Sequence, residues 1–231
     1  MTERSTDRRP ERAFERPPGW ELEYRDRRFR SGSGPGTDRR ERRALRALLA
    51  RAGARPGTWL DVPSGAGRMS ELLPGPVVAV DHSLEILRAI RAPRGPRLRA
   101  TAFELPFADA SFAGVLCHRL LHHVPLAGDR VRILAELRRV SEGPVIASFF
   151  HAVSLQNARR ALARRLRGKR RSSRGGITLR AFLRDLAAAG LELVAARPLL
   201  PFVSEQWLVL ARPRRAAGTG SGPVDQGAKR D

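Results

Sequence analysis

TWLDVPSGAGRMSELLPGPVVAVDHS, residues 58–83, is the stretch on which the rest of the chain hangs. A short apolar run, Trp59, Leu60 and Val62, flanks Asp61 and halts at Pro63-Ser64-Gly65-Ala66-Gly67. A helical segment over 68–73 follows, then a buried-type run over 77–80 that Asp81 closes. The order reads strand, glycine turn, helix, loop, strand, with a carboxylate at the end of each strand. Glycine at such a turn lets a ligand approach the backbone closely, because no Cβ stands in the way. An acid about 20 residues on, at the tip of the next parallel strand, can accept both hydroxyls of a ribose. The pattern predicts a nucleoside-binding half-site.

The loop also says which nucleosides fit poorly. A dinucleotide fingerprint needs G-x-G-x-x-G so that a helix N-terminus can receive a pyrophosphate. Here the glycines are Gly65 and Gly67, the third position is Ser70, and Pro63 stands where an earlier glycine would fall. Asp61 before the loop would repel a phosphate and suits a cationic ligand. On Asp61, Gly65, Gly67 and Asp81 the segment resembles motif I of the class I S-adenosylmethionine-dependent methyltransferases, acid-x-G-x-G-x-G, with Pro63 replacing the first glycine. Further segments match that family in order. Residues 104–112, ELPFADASF, are similar to the family's LPF-x-D-x-S-F-D approach to the fourth strand. Residues 120–124, LLHHV, are similar to the LHHV of the small-molecule branch, and residues 133–140, ILAELRRV, to its L-x-E-x-x-R-V helix. The resemblance covers residues 58 to 214 and is weakest after Phe150.

The resemblance implies a doubly wound, mainly parallel α/β sheet of the Rossmann-like methyltransferase fold, ending in an antiparallel hairpin. It implies S-adenosyl-L-methionine as cofactor. The cofactor set it carries over is Asp61, Pro63, Ser64, Gly65, Gly67, Arg68, Asp81, His82, Ala102, Phe103 and His118. Two positions depart from the pattern. Pro63 offers no N–H and fixes φ. At the end of the third strand, where the family often places an acid against the adenine amine, this chain has Thr101, with Glu104 just beyond. Adenine recognition then falls to the Ala102 and Phe103 backbone. A sulfonium methyl is already electrophilic, so positioning can supply about 7–11 kcal/mol of barrier reduction without an indispensable base. His118, His122 and His151 are the catalytic candidates, because each follows a strand tip and a neutral imidazole can take a proton near neutral pH. His123 reads as a packed residue. No Cys/His/Asp/Glu spacing suggests a metal.

Elsewhere the sequence reads as one domain with tails. Residues 1–36 are Arg/Glu-mixed and Pro/Gly-punctuated, predicting a disordered tail on which Trp20, Tyr24 and Phe29 could dock. Residues 38–52 carry Ala44, Leu45, Leu48 and Leu49 on one helical face. This leading helix would lie over the cofactor cleft, with Arg39, Arg40 and Arg43 either solvated or facing an anion. Strands are expected at 58–62, 77–80, 97–102, 113–118, 144–150, 191–196 and 206–211. Helices are expected at 83–91, 127–140 and 178–190, the first capped by Ser83 and the last by Thr178. The methyltransferase domain is placed at 37–214 and a disordered tail at 215–231. Cys117 lies in an apolar run and reads as a buried small hydrophobe.

Formal charge is +21, from 44 basic and 23 acidic residues. Only Lys169 and Lys229 are lysine, which fits GC-rich coding better than selection for charge. The distribution is more telling. Over 151–177 lies an insertion in which Leu155, Leu162 and Leu166 share a helical face with arginines around them. Residues 155–174 are a candidate surface for acidic membrane or nucleic acid. No apolar run approaches a membrane span, and no signal peptide is evident at the N-terminus, so a cytoplasmic location is expected, with peripheral membrane contact as a variant. The acceptor is expected to be small or lipid-linked and anionic. Three other readings stand beside it. One is a non-catalytic Rossmann-like module gripping RNA or membrane through the insertion. Another is a nicotinamide-dependent oxidoreductase, which the glycine count and Asp61 disfavour. The last is an RNA methyltransferase, disfavoured because residues 117–120 read CHRL in place of an N/D-P-P-aromatic signature.

Overall fold

The computed structural model describes residues 34–154, 176–201 and 203–214. The predicted tails (apart from 34–36), their docking aromatics and the basic segment 155–174 lie outside the described residues. The first element is α1, Gly34–Ala52, which starts four residues before the expected 38 and so takes 34–36 out of the predicted tail. Its inward stripe is Ala44, Leu45, Leu48, Leu49 and Ala52, with Leu45 and Leu48 fully buried. Each such leucine contributes roughly 1.5–3 kcal/mol by leaving water. Arg39, Arg40 and Arg43 are exposed.

The strands are β1 Trp59–Asp61, β2 Val77–Asp81, β3 Arg97–Arg99, β4 Gly114–Cys117, β5 Val145–Phe150, β6 Leu191–Pro198 and β7 Gln206–Pro213. They form one sheet in the order β3-β2-β1-β4-β5-β7-β6. The first five are parallel, and β7 enters antiparallel between β5 and β6. The order reverses at β1, which pairs with β2 on one side and β4 on the other. Open sheets bind ligands beyond the carboxyl ends of the strands at such a switch point. Helices α2 Leu84–Arg88, α3 Ala127–Val140 and α4 Leu179–Ala188 complete the described layers. One face of the sheet packs its core on α3 and α4; the other packs Trp59, Val77, Leu116, Leu208 and Leu210 beneath α1.

Local signals explain most boundaries. Ser83 Oγ accepts from the Ile86 amide, and Thr178 Oγ1 from that of Ala181, so both predicted caps are formed. Gly190 closes the turn after α4 with φ of +72°, a conformation that favours glycine. β3 is shorter than expected, because the chain bends back so that Thr101 bridges Glu104. The larger correction concerns residues 68–73. They hold a single 3-10 turn, Ser70–Leu72, and not an α-helix. Arg94 from the approach to β3 donates to the Ser70, Glu71 and Leu73 carbonyls, satisfying acceptors that a longer helix would have used itself. Pro74 and Gly75 (φ +104°) then turn the chain directly into β2.

Candidate cofactor site

The two carboxylates that end β1 and β2 are adjacent. Asp61 pairs in register with Ala79 of β2, and both Asp61 and Asp81 are almost wholly shielded from solvent. Between them the chain passes through a cis Val62–Pro63 peptide and two left-handed glycines, Gly65 at φ +54° and Gly67 at +75°. Asp81 Oδ2 accepts from the Gly65 amide at 3.0 Å, and Oδ1 accepts from the Ser83 amide at 3.1 Å. His82 Nδ1 lies 3.0 Å from the same Oδ1 on a half-exposed ring. The Ser64 amide donates to Val80 O, fastening the turn to β2. A Cβ added at Gly65 would meet nothing within 4 Å, so the turn opens onto free space; one at Gly67 would reach Ile90 Cγ2 at 3.0 Å. The turn therefore packs behind and is bare in front.

Asp61 is held differently. Ser70, the residue in the third-glycine position, donates its hydroxyl to Asp61 Oδ2 at 2.6 Å. Burial, aided by the nearby Asp81 charge, pushes the Asp61 carboxyl up to about 7, against the pull of Ser70 and Arg68. A buried acid poised near neutrality gains from a positive charge brought beside it.

A second group of polar residues underlies α1. Glu41 is fully buried. Arg68, directly after the glycine turn, donates to Glu41 Oε2 at 2.5 Å and to Asp38 at 2.5 Å. Arg119, just past β4, donates to Glu41 Oε1 at 2.7 Å and to Gln206 of β7 at 3.0 Å. The Arg119 backbone is left-handed, φ +63°, and its amide donates to Ser148 Oγ of β5 at 2.7 Å. Burial works to raise the Glu41 carboxyl, yet the cationic side chains around it hold it at about 2, so Glu41 is ionised. Arg42 links Asp38 to Glu71 and to Arg68 O on the rim. Sequence reading named Arg68 and missed Glu41, Arg119 and Gln206. Glu41 carried a legible signal: it lies three and four residues before Ala44 and Leu45, on the apolar stripe of α1.

The histidine candidates separate. His118, 8% exposed, contacts Gln206 Nε2 at 3.1 Å and lies 3.5 Å from Glu41; burial drives its ring down to about 3, leaving it neutral. His122 stacks on Phe150, ring centroids 3.8 Å apart, and tilts against His123. His151 is half-buried, its Nδ1 2.6 Å from Val153 O and its ring 5.5 Å from Trp207. All three emerge at the carboxyl edge, but only His118 joins the network under α1. On the β3 side, Ala102 is buried, and the Phe103 amide is engaged by Thr101 Oγ1 at 3.3 Å. Arg132 sits over the Phe103 ring. No group of metal-binding side chains occurs among the described residues. Among them, too, no helix is long and apolar enough to cross a membrane.

The 3-2-1-4-5-7-6 sheet, with a bare glycine turn between two strand-tip acids, defines the class I methyltransferase fold, whose cofactor is S-adenosylmethionine. Residues 60–147 match the sequence profile of the family described as methyltransferase domain. A protein of Encephalitozoon cuniculi named as a methyltransferase is 38% identical over 105 residues, 45% of this chain and 49% of that one. The chain thus matches about half the length of this relative. Among solved structures, magnesium protoporphyrin IX methyltransferase from Synechocystis PCC 6803, with SAH bound, superposes with a TM-score of 0.66. It is 14% identical and aligns over 84% of this chain and 94% of its own. An S-adenosylmethionine-dependent methyltransferase from Clostridium acetobutylicum gives 0.65 at 10% identity, over 85% and 98%. At these identities the likeness is one of fold. The residues present fit the cofactor in chemistry: a Cβ at Gly65 would meet nothing within 4 Å, and two buried carboxylates, Asp81 and Asp61, are of the kind that a ribose and a positive sulfur call for.

Proposed function

We propose that this chain transfers the methyl group of S-adenosylmethionine to a small or lipid-linked acceptor that carries negative charge. The observation that carries the cofactor half of this reading is the pairing of Asp81 with the Gly65 amide beside buried Asp61. When bound, the cofactor supplies an electrophilic methyl on a positive sulfur. Asp61, Gly65 and Asp81 would hold it, and it would give that methyl to the acceptor's lone pair while the sulfur kept the bonding electrons. The acceptor's proton passes to solvent or to an imidazole at the strand tips, with His122 and His151 the candidates. His118 serves instead as a neutral hydrogen-bonding partner of Gln206. Around this event the chain orients and excludes water: Asp81 would exchange its backbone partner for the ribose hydroxyls, and α1 covers one side. The anionic preference rests on the arginine-rich sequence of 151–177.

Calorimetric titration with S-adenosylmethionine tests the reading. Binding in the micromolar range that Asp81→Ala abolishes supports it; a flat wild-type titration refutes it. Transfer of labelled methyl into fractionated cell extract then separates lipid, RNA, protein and small-molecule acceptors.

A further inference from the structure

Glu41 spends its two carboxylate oxygens on two different parts of the cleft. Oε2 takes Arg68, which follows the left-handed Gly67; Oε1 takes Arg119, which leaves β4 through its own left-handed residue. Each arginine thus ties a backbone segment beside the glycine turn or the β4 tip to α1. The arginines are in turn fixed at their outer edges, Arg68 by Asp38 and Arg119 by Gln206, and the Arg119 amide by Ser148. One side chain on α1 therefore couples the glycine turn, the β4 tip, β5 and β7. We propose that Glu41 is a positioning residue for the cofactor cleft, setting the distance between the glycine turn and the β4 tip and seating α1 as a permanent wall. This deepens the proposed methyl transfer and rests on that reading for its functional consequence.

The geometry calls for a glutamate. A glutamine presents one acceptor and one NH2 donor, so one of the two arginines would face a donor and let go. Aspartate keeps the charge but is one methylene shorter and cannot hold both guanidinium groups at their present positions. A matched control exists elsewhere in the fold. Arg130 of α3 and Asp185 of α4 form another buried ion pair, Nε to Oδ2 2.7 Å, on the face of the sheet opposite α1, where Arg130 also donates to the Val124 and Pro125 carbonyls.

The test compares Glu41→Gln, Glu41→Asp and Asp185→Asn with wild type in the full chain. It reads melting temperature, S-adenosylmethionine affinity by calorimetry, and amide hydrogen exchange over 64–69 and 118–121. All three variants should melt lower. Only the two Glu41 variants should bind the cofactor about tenfold more weakly or worse, and only they should lose exchange protection in both segments. Glu41 variants that bind within about twofold of wild type, or an Asp185→Asn variant that weakens binding equally, would overturn the proposal. Should Glu41→Gln not fold, Glu41→Asp decides by the same criteria. Should wild type bind no cofactor, the methyltransferase reading fails, while the exchange measurement still decides whether Glu41 positions the two segments.

Discussion

If Asp61 faces the positive sulfur, cofactor affinity should depend on pH. Burial holds its carboxyl at about 7, so with no cation beside it the group is mostly neutral at pH 6 and mostly ionised at pH 7.5. If the positive sulfur nucleoside binds the ionised form, its apparent dissociation constant scales with the reciprocal of the ionised fraction. That fraction is about one tenth at pH 6 and about three quarters at pH 7.5, so affinity should rise about eightfold across the interval, about 1.2 kcal/mol. Binding at pH 6 should also expel close to one proton per cofactor. Calorimetry in two buffers of different ionisation enthalpy measures both quantities. Asp61→Asn, which keeps an oxygen for the Ser70 hydroxyl, should remove the pH slope and the proton release together. A wild-type affinity that stays level from pH 6 to 7.5, or a slope that persists in Asp61→Asn, refutes the placement of the positive charge beside Asp61.

The same carboxyl and His118 should act on folding stability in opposite senses. Asp61 is raised above its unfolded value of 3.8, so its cost to the fold appears as pH rises through that range towards 7. His118 is lowered from 6.5 to about 3, so its cost appears as pH falls below 6.5. Between pH 6.5 and 5 the two should nearly cancel, each worth about 1.4 kcal/mol per pH unit. Urea melts at pH 5, 6 and 7 should therefore show Asp61→Asn losing stability on acidification and His118→Gln gaining it; parallel slopes would contradict the assigned burial. Gly114→Ala tests the packing under α1. Its Cβ would stand 2.5 Å from the Trp59 ring, so overpacking should cost about 1–3 kcal/mol or more, read as a lower melting temperature.

Much of this arrangement was legible in the chain because its causes are local. The helix at 127–140 and the caps at Ser83 and Thr178 are set by apolar spacing and by side chains a few residues away, and they stand where expected. So are the two strand-tip acids and the glycine turn. What could not be read depends on distant partners. The 3-10 turn at Ser70–Leu72 is capped by Arg94, 21 to 24 residues on, which donates to the Ser70, Glu71 and Leu73 carbonyls. Glu41 acquires its role from Arg68 and Arg119, 27 and 78 positions away, which no periodicity reports.

That abbreviated turn has a consequence for ligand choice. A long helix beginning at a glycine loop aligns its peptide dipoles and presents a partial positive charge to whatever lies in front. Three residues of 3-10 geometry assemble almost none of that field, and the first hydroxyl they offer is spent on Asp61. The mouth of this sheet consequently has little means of holding a diphosphate bridge, and Asp61 stands where a nicotinamide or flavin dinucleotide would need an amide.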